Sequence, residues 1–181
     1  MDSESTLPTP RMLLRPWRPS DEAKMARINR DPEVTRYLNR PVDEAAVARF
    51  YESCVEHWER HGFGFFAVES REEATPGRFL GFVGVGYPAF LPTLAQRPEL
   101  GWRLERASWG RGLATEAAFA ARDDAFGRLG LNELISIIHP ENPASTRVAT
   151  KVGMRIEGQV HNPVLDRAVD VWQLTAPTAA E

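Results

Sequence analysis

The chain has 181 residues, of which 43% are hydrophobic and 26% charged, and this balance predicts one globular domain with its own core. Its net charge of −3 offers no bulk attraction to nucleic acid, and no apolar run approaches the roughly 20 residues that cross a bilayer. The start lacks the basic and apolar pattern of a signal peptide, and a single cysteine excludes an internal disulfide. We therefore expect a cytoplasmic protein with no nucleic-acid or membrane partner.

Strand and helix patterns follow one another in the order β-α-α-β-β-β-α-β-α-β-β, which predicts an α/β protein with a mixed sheet and helices on both faces. The predicted elements cover residues 12–17, 20–29, 43–61, 63–68, 79–87, 100–104, 113–127, 131–138, 144–152, 154–160 and 169–174. We place a single domain over residues 11–174. Residues 1–10 and 175–181 are expected to be flexible tails because they carry no apolar pattern.

The helix predicted from Asp43 to about His61 has apolar residues at steps of three and four, which makes one buried face. This face holds Val47, Phe50, Tyr51, Cys54 and Trp58. The position of Cys54 there indicates packing rather than a nucleophilic role. His57 and His61 lie near the helix end, where capping or solvent exposure is the expected role.

A strand, a glycine turn and a helix stand together in the middle of the chain. The run Leu100–Leu104 leads through Gly110 and Gly112 into an alanine-rich helix. The first N–H groups of a helix point outward at the positive end of its dipole, and glycine lets a ligand approach them closely. The turn therefore predicts an anion site, although the glycines could serve the turn alone. It is no Walker loop, and Thr115 stands where a dinucleotide fingerprint has its third glycine.

The segment Trp109–Ala117, Trp-Gly-Arg-Gly-Leu-Ala-Thr-Glu-Ala, resembles the coenzyme A pyrophosphate loop of the GCN5-related N-acetyltransferases, the GNAT family. It is most similar to the branch with the ribosomal-protein alanine N-acetyltransferases. Gly112 and Ala114 fit the last two positions of the pattern Gln/Arg-x-x-Gly-x-Gly/Ala, and Trp109 replaces the first. The family fold has the predicted element order, so the resemblance extends over residues 11–174. It implies coenzyme binding by Trp109, Gly110, Arg111, Gly112, Leu113, Ala114 and Thr115.

The same resemblance implies that the strand before this loop diverges from its neighbour, so that the pantetheine arm enters the gap. The arm would pair with backbone groups of Trp102, Arg103 and Leu104. A backbone N–H there would also polarise the thioester carbonyl, and losing such a donor typically costs about 3 kcal/mol of transition-state stabilisation.

A second segment, Asn142-Pro-Ala-Ser145-Thr-Arg147 followed by Lys151-Val-Gly153-Met, resembles the Asn-x-x-Ser segment and the Lys-x-Gly-Phe turn of the family. It implies that Asn142 bonds the pantetheine arm or orders its loop, that Ser145 helps to protonate the leaving thiolate, and that Arg147 reaches the nucleotide phosphates. The alternative is local: Asn142-Pro makes a turn, and Ser145 begins the following helix.

An amine must lose a proton before it attacks, and at pH 7 this costs about 4.6 kcal/mol for a lysine-like amine but only about 1 kcal/mol for an α-amine. The resemblance places a base at Glu99, at the start of the strand, where the alternative is a solvated carboxylate. His139 is the rival base because its imidazole titrates near neutrality, and we rank it below Glu99.

These features together predict transfer of acetyl from acetyl-CoA to a primary amine, by direct attack in a ternary complex without a metal. The acceptor could be a small molecule or a protein N-terminus. Its pocket should be shaped by residues 31–41, residues 88–98 and the sheet end near His161. One alternative is a non-catalytic acyl-CoA sensing domain. Another is a dinucleotide-dependent oxidoreductase, for which Glu133 lies about 20 residues after the glycines. A homodimer is plausible for the family.

Overall fold

The computed structural model describes residues 6–38, 43–163 and 166–177. Within these residues a sheet of eight strands forms the centre of the fold, in the order β1-β2-β3-β4-β5-β6-β8-β7. The strands are β1 Leu7–Pro8, β2 Met12–Arg15, β3 Phe65–Ser70, β4 Phe79–Gly86, β5 Glu99–Leu104, β6 Glu133–Ile138, β7 Arg155–Asn162 and β8 Arg167–Thr175. Neighbouring strands are antiparallel except β5 and β6, which are parallel. The predicted mixed α/β fold is confirmed.

Five α-helices lie against the sheet in the described part of the chain: α1 Pro19–Asn29, α2 Pro32–Thr35, α3 Glu44–His61, α4 Leu113–Gly127 and α5 Pro143–Lys151. The prediction for α3 holds because the Asp43 side chain caps its first turn and Gly62 ends it with a left-handed φ of 72°. The sequence pattern missed α2, whose single turn is too short for periodicity to reveal. None of these helices is both long and apolar enough to span a membrane.

The amino-terminal segment differs from the expectation of a loose tail. Leu7 and Pro8 pair with β2, and Thr9 is buried. The Thr9 hydroxyl bonds the Met12 backbone, so the chain turns back tightly at this point. Apolar periodicity could not predict a two-residue strand. This strand depends on tertiary contacts of Thr9 and Arg11 with Glu116.

The two faces of the sheet carry different cores. On one face α4 lies close to the strands, because Ala117, Ala118 and Ala121 present little side chain to Leu100 and Leu104. The other face packs α1 and α3 through a core that includes Met25, Cys54, Trp17, Phe79 and Phe82. The predicted packing role of Cys54 is confirmed: it is buried, and burial raises the pKa of its thiol to about 12.

Alternation along β5 decides which side chains meet which core. Leu100 and Leu104 belong to the α4 core, so Glu99, Gly101 and Arg103 point to the opposite face. Arg103 confirms this direction, since its guanidinium donates to the Asn29 side chain of α1 at 3.1 Å. Glu99 therefore lies on the face that α1 and α3 cover.

Candidate active site

A cavity of about 1160 Å³ opens where β5 and β6 diverge. These strands pair only at Glu99 and Ile135, although both continue beyond that point. Just past the pair, the Ser136 hydroxyl donates to the Leu100 carbonyl at 2.5 Å. From Gly101 to Leu104 the β6 side of β5 has no strand partner among the described residues. The gap leaves one backbone edge of β5 available to a ligand.

The structure brings almost all of the predicted site residues to this one cavity. Its wall includes Glu99, Trp102, Arg103, Leu104, Trp109, Gly110, Gly112, Leu113, Ala114, Thr115, His139, Asn142, Ser145 and Arg147. Arg111 is the exception. Its guanidinium bonds both carboxylate oxygens of Glu72, at 2.6 and 2.8 Å, outside the cavity wall.

The glycine turn has the geometry of an anion site. Gly110 and Gly112 adopt left-handed φ angles of 72° and 77°, which residues with a Cβ rarely take. Gly112 is the N-cap of α4, and no described side chain caps that end. The N–H groups that begin α4 therefore lack intrahelical partners, and the residues that carry them line the cavity.

Glu116 in the first turn of α4 fixes this turn to the amino-terminal strands. Its carboxylate accepts from the Thr9 hydroxyl at 2.7 Å, from the Arg11 backbone N–H at 3.0 Å and from Arg11 Nε at 2.7 Å. Arg11 also donates to the Arg111 carbonyl at 2.9 Å. The sequence analysis missed these contacts, although an acidic residue in the first turn of a helix is a recognisable signal.

Trp109 joins the end of β5 to the glycine turn. Its indole N–H donates to the Leu104 carbonyl at 2.9 Å, while 43% of the residue stays exposed. The indole N–H therefore contacts the last residue of β5, and Trp109 also lines the cavity. This contact gives a structural reason for tryptophan at the first position of the loop.

The Asn142 segment shows the local role that the sequence left open. Asn142 is the N-cap of α5: its Oδ1 accepts from the Ser145 backbone N–H at 3.1 Å, and its Nδ2 donates to the Ser145 hydroxyl at 3.1 Å. Both side chains also line the cavity, and Arg147 lies exposed one turn further along. Capping thus places the Ser145 hydroxyl at the cavity wall.

Glu99 is a carboxyl with an unusual environment. It is only partly accessible, and its carboxylate accepts a hydrogen bond from the Ile137 backbone N–H across the gap. Burial raises the pKa of Glu99 to about 7, and the hydrogen bond from Ile137 opposes that rise only in part. A carboxyl with this pKa exchanges a proton readily at neutral pH.

His139 is less suited to accept a proton. Its Nδ1 accepts from the Glu141 backbone N–H at 3.0 Å, and its Nε2 contacts the Arg167 guanidinium. Burial first, and then the positive charge of Arg167, lower the pKa of His139. Because both ring nitrogens are engaged, the ring presents no free lone pair to a substrate amine.

The segments expected around the acceptor reach the cavity only in part. Pro88, Ala89 and Phe90 line it, whereas Leu91 and Leu94 are buried in a small separate core. Residues 33–34 and 36–38 line it as well, while residues 39–41 of the predicted segment lie outside the described part. At the sheet end the lining residue is Asn162 rather than the exposed His161.

His57 does not have the capping or solvated role expected from its place near the end of α3. Its Nδ1 lies 2.7 Å from the Phe63 carbonyl, and its Nε2 accepts from the Tyr87 backbone N–H at 3.2 Å. These bonds tie α3 to the strand ends beside Glu99. The available signal was its spacing after Phe50 and Cys54, which places it on the buried face.

Glu133 lies away from the glycine turn and does not line the cavity. Arg97 holds it with hydrogen bonds of 2.7 and 2.8 Å, and the Gln173 side chain also donates to it. The fold therefore does not place Glu133 where it could contact a ribose, and the main support for a dinucleotide site is removed.

A mixed sheet with two diverging parallel strands, next to an uncapped helix start, defines an acetyltransferase fold. The chain belongs to the family described as "Acetyltransferase (GNAT) domain", whose model matches residues 11–155. The resemblance seen in the two sequence motifs is thereby confirmed at the family level. The protein is an acetyltransferase of this family.

Individual relatives match this chain over nearly its full length. The chain is 27% identical over 177 residues to the N-acetyltransferase p20 of Bacillus licheniformis, covering 94% of each. It is 27% identical to an acetyltransferase of Agrobacterium tumefaciens whose crystal structure superposes with a TM-score of 0.82, covering 97% of each. RimJ of Mycobacterium smegmatis, solved with a coenzyme A disulfide, shares the fold at 23% identity and a TM-score of 0.68, covering 91% of this chain and 82% of that one.

Proposed function

We propose that this acetyltransferase moves the acetyl group of acetyl-CoA to a primary amine, by direct attack within a ternary complex. The observation that carries this proposal is the placement of Glu99. A carboxyl whose pKa is about 7 lies at the point where β5 and β6 part, in the same cavity as the open start of α4. A proton acceptor and an anion site therefore face one space.

The coenzyme is proposed to bind along the α4 and α5 side of the cavity. Its diphosphate suits the N–H groups that follow Gly112, and the exposed guanidinium of Arg147 suits another phosphate. The pantetheine arm would then pair along the edge of β5 from which β6 has diverged, between Trp102 and Leu104. The coenzyme A disulfide bound by RimJ of Mycobacterium smegmatis, which shares this fold, supports the choice of ligand.

The amine is proposed to approach from the face that α1 and α3 cover, because Glu99 points to that face. Glu99, directly or through one water, takes the proton of the ammonium group, and the free nitrogen attacks the thioester carbon. Backbone N–H groups of β5 stabilise the negative charge on the carbonyl oxygen. The C–S bond then breaks, the nitrogen loses its second proton, and the Ser145 hydroxyl assists transfer of a proton to the leaving thiolate, which gives the amide and free coenzyme A.

The pKa of Glu99 matches this role. A carboxyl of ordinary pKa would be ionised at pH 7 but would be a weak base, whereas one near 7 is half ionised and accepts a proton more readily. For an α-amine the remaining deprotonation cost is small, about 1 kcal/mol at pH 7, so Glu99 suffices. His139 is a weaker candidate because its Nδ1 lone pair is already used.

Two measurements test the proposal. Calorimetry with coenzyme A at millimolar concentration should show saturable binding, and its absence would overturn the coenzyme assignment. Thiol release from acetyl-CoA should then depend on an added amine from a panel of amino acids, peptides and polyamines. Binding of acetyl-CoA without amine-dependent thiol release would instead favour the non-catalytic sensing domain.

A further inference from the structure

Helix α3 presents a row of polar side chains to the cavity. Phe50, Cys54 and His57 face the sheet: the Phe50 and Phe82 rings are 4.8 Å apart, and His57 bonds the strand ends. Trp58, one position further round, turns toward β3, where its indole N–H donates to the Phe65 carbonyl at 2.9 Å. The row on the remaining side lines the cavity and is exposed. It consists of Arg49, Ser53, Glu56 and Arg60.

The cations of this row have no counter-ion among the residues that the structure describes. Arg49 and Arg60 make no ion pair with any residue in the described ranges, and neither does Glu56. Across the opening, Arg36 already pairs with Glu33 at 3.7 Å. The row therefore carries two guanidinium groups against one carboxylate, and a guanidinium group matches the geometry of carboxylate and phosphate oxygens.

Arg60 lies at the end of the cavity where Glu99 is placed. His57, one turn before it, bonds the Tyr87 backbone, and the preceding Gly86 pairs with Glu99 across β4 and β5. Arg60 lines the cavity, and its positive charge contributes, after burial and the charge of His61, to the lowered pKa of His57. Arg49 lies three turns earlier, about 16 Å along the helix.

The part of the cavity beside Glu99 is an apolar groove. Its floor contains Gly86 and Gly101, where a Cβ would lie 3.2 and 3.0 Å from the Phe65 ring, so the ring occupies the space that side chains would fill. Phe50 and Tyr87 complete the aromatic wall. An aromatic or other apolar body between an amine and an anionic group would fit this groove.

We infer that the acceptor is an amine that also carries a carboxylate or another anionic group, held by Arg60, with an apolar body against Phe65. Amino acids and peptides with an acidic group near the N-terminus meet this description, and polyamines do not. The inference rests on the proposed function for the position of the amine at Glu99. Arg60 is assigned as a specificity-determining residue.

Two product analogues that differ only in the anionic group provide the test: N-acetyl-phenylalanine and N-acetyl-phenylalaninamide. Each is titrated by calorimetry into the protein saturated with coenzyme A. The carboxylate compound should bind at least roughly tenfold tighter than the amide, because one charge-assisted hydrogen-bonded pair contributes about that much affinity. Arg60→Gln should reduce this difference to about twofold, and Arg60→Lys should retain part of it.

Arg155→Gln is the matched control, because Arg155 is an exposed arginine on β7 that does not line the cavity. It should leave the preference unchanged. Equal binding of both analogues by the wild type, binding of neither at millimolar concentration, or a preference that survives Arg60→Gln would each overturn the inference. A normal coenzyme A isotherm together with amine-dependent thiol release in the same protein would show that the proposed function stands even then.

Discussion

The carboxylate of Glu99 accepts a hydrogen bond from the backbone N–H of Ile137, across the point where β5 and β6 separate. Glu99 also lines the cavity, on the face of the sheet that α1 and α3 cover. Burial outweighs the hydrogen bond, so the pKa of Glu99 rises to about 7.

Glu99→Gln should lower kcat/KM for amine acetylation on the order of 100-fold or more, because general-base assistance is lost. Since the ionised carboxylate is the active form, the wild-type rate should rise with pH through about 7. The variant should lack that inflection. Thiol-release rates between about pH 5 and 9 measure both effects.

Glu73→Gln provides the control, because Glu73 is an exposed carboxylate outside the cavity wall. It should retain the wild-type profile. An inflection near pH 7 that persists in Glu99→Gln would remove Glu99 from the mechanism.

Glu99→Gln should also stabilise the fold at alkaline pH. The pKa of Glu99 is raised from 4.5 to about 7 in the folded protein. Its contribution to the stability of the fold is therefore complete below pH 4.5 and is lost as pH rises through about 7. Glutamine resembles the neutral carboxyl and carries no such penalty. At about pH 8 the free energy of unfolding of the variant should exceed that of the wild type by at most about 3 kcal/mol, and near pH 4 the two should differ little. Thermal unfolding at both pH values measures this difference. Equal stabilities at pH 8 would contradict the raised pKa.

Gly112→Ala should weaken coenzyme binding at least about tenfold. The φ angle of 77° makes an alanine strained by roughly 1–2 kcal/mol, so the variant should relax the turn that presents the N–H groups of the α4 start. Calorimetry with coenzyme A measures the loss. Gly127→Ala is the matched control, because Gly127 has no atom near its Cβ position and no left-handed φ. If Gly112→Ala binds as well as Gly127→Ala, the diphosphate does not lie at this turn.

Substitutions at Ser145 and Asn142 separate chemistry from capping. Ser145→Ala keeps the backbone N–H that Asn142 caps, so its stability should be nearly unchanged, while kcat falls and KM does not. Asn142→Ala removes the cap and should cost about 1 kcal/mol of stability. Steady-state kinetics and thermal unfolding of both variants distinguish the roles. A Ser145→Ala enzyme with unchanged kcat would leave protonation of the thiolate to solvent.

His57 should make the fold sensitive to acid. Burial lowers its folded pKa below 6.5, so its contribution is complete above pH 6.5 and is lost as pH falls. Protonation would also remove the acceptor for the Tyr87 N–H. The unfolding temperature of the wild type should therefore fall more steeply from about pH 7 to 5 than that of His57→Gln. His61→Gln removes a cause of the lowered pKa that is smaller than burial, so it should change the slope less than His57→Gln does.

Local patterns were sufficient for most of the elements and for the glycine turn before α4. Helix α4 begins at Leu113 and ends at Gly127, as predicted, because alanine content and the flanking glycines act within the segment itself. The residues predicted at the loop, on β5 and at Asn142 line one cavity, with the exception of Arg111, because short motifs specify their own backbone geometry.

Contacts between distant segments were decided only by the tertiary structure. The amino-terminal strand exists because Thr9 and Arg11 bond Glu116, more than 100 residues away. The divergence of β5 and β6, the raised pKa of Glu99 and the contact of His139 with Arg167 likewise arise from neighbours far apart along the chain. The sequence by itself determined the family, most of the element order and the glycine turn, because propensity and motif spacing are local. Burial and charge environment depend on packing, and packing decided the surroundings of Glu99 and the placement of the arginine row of α3.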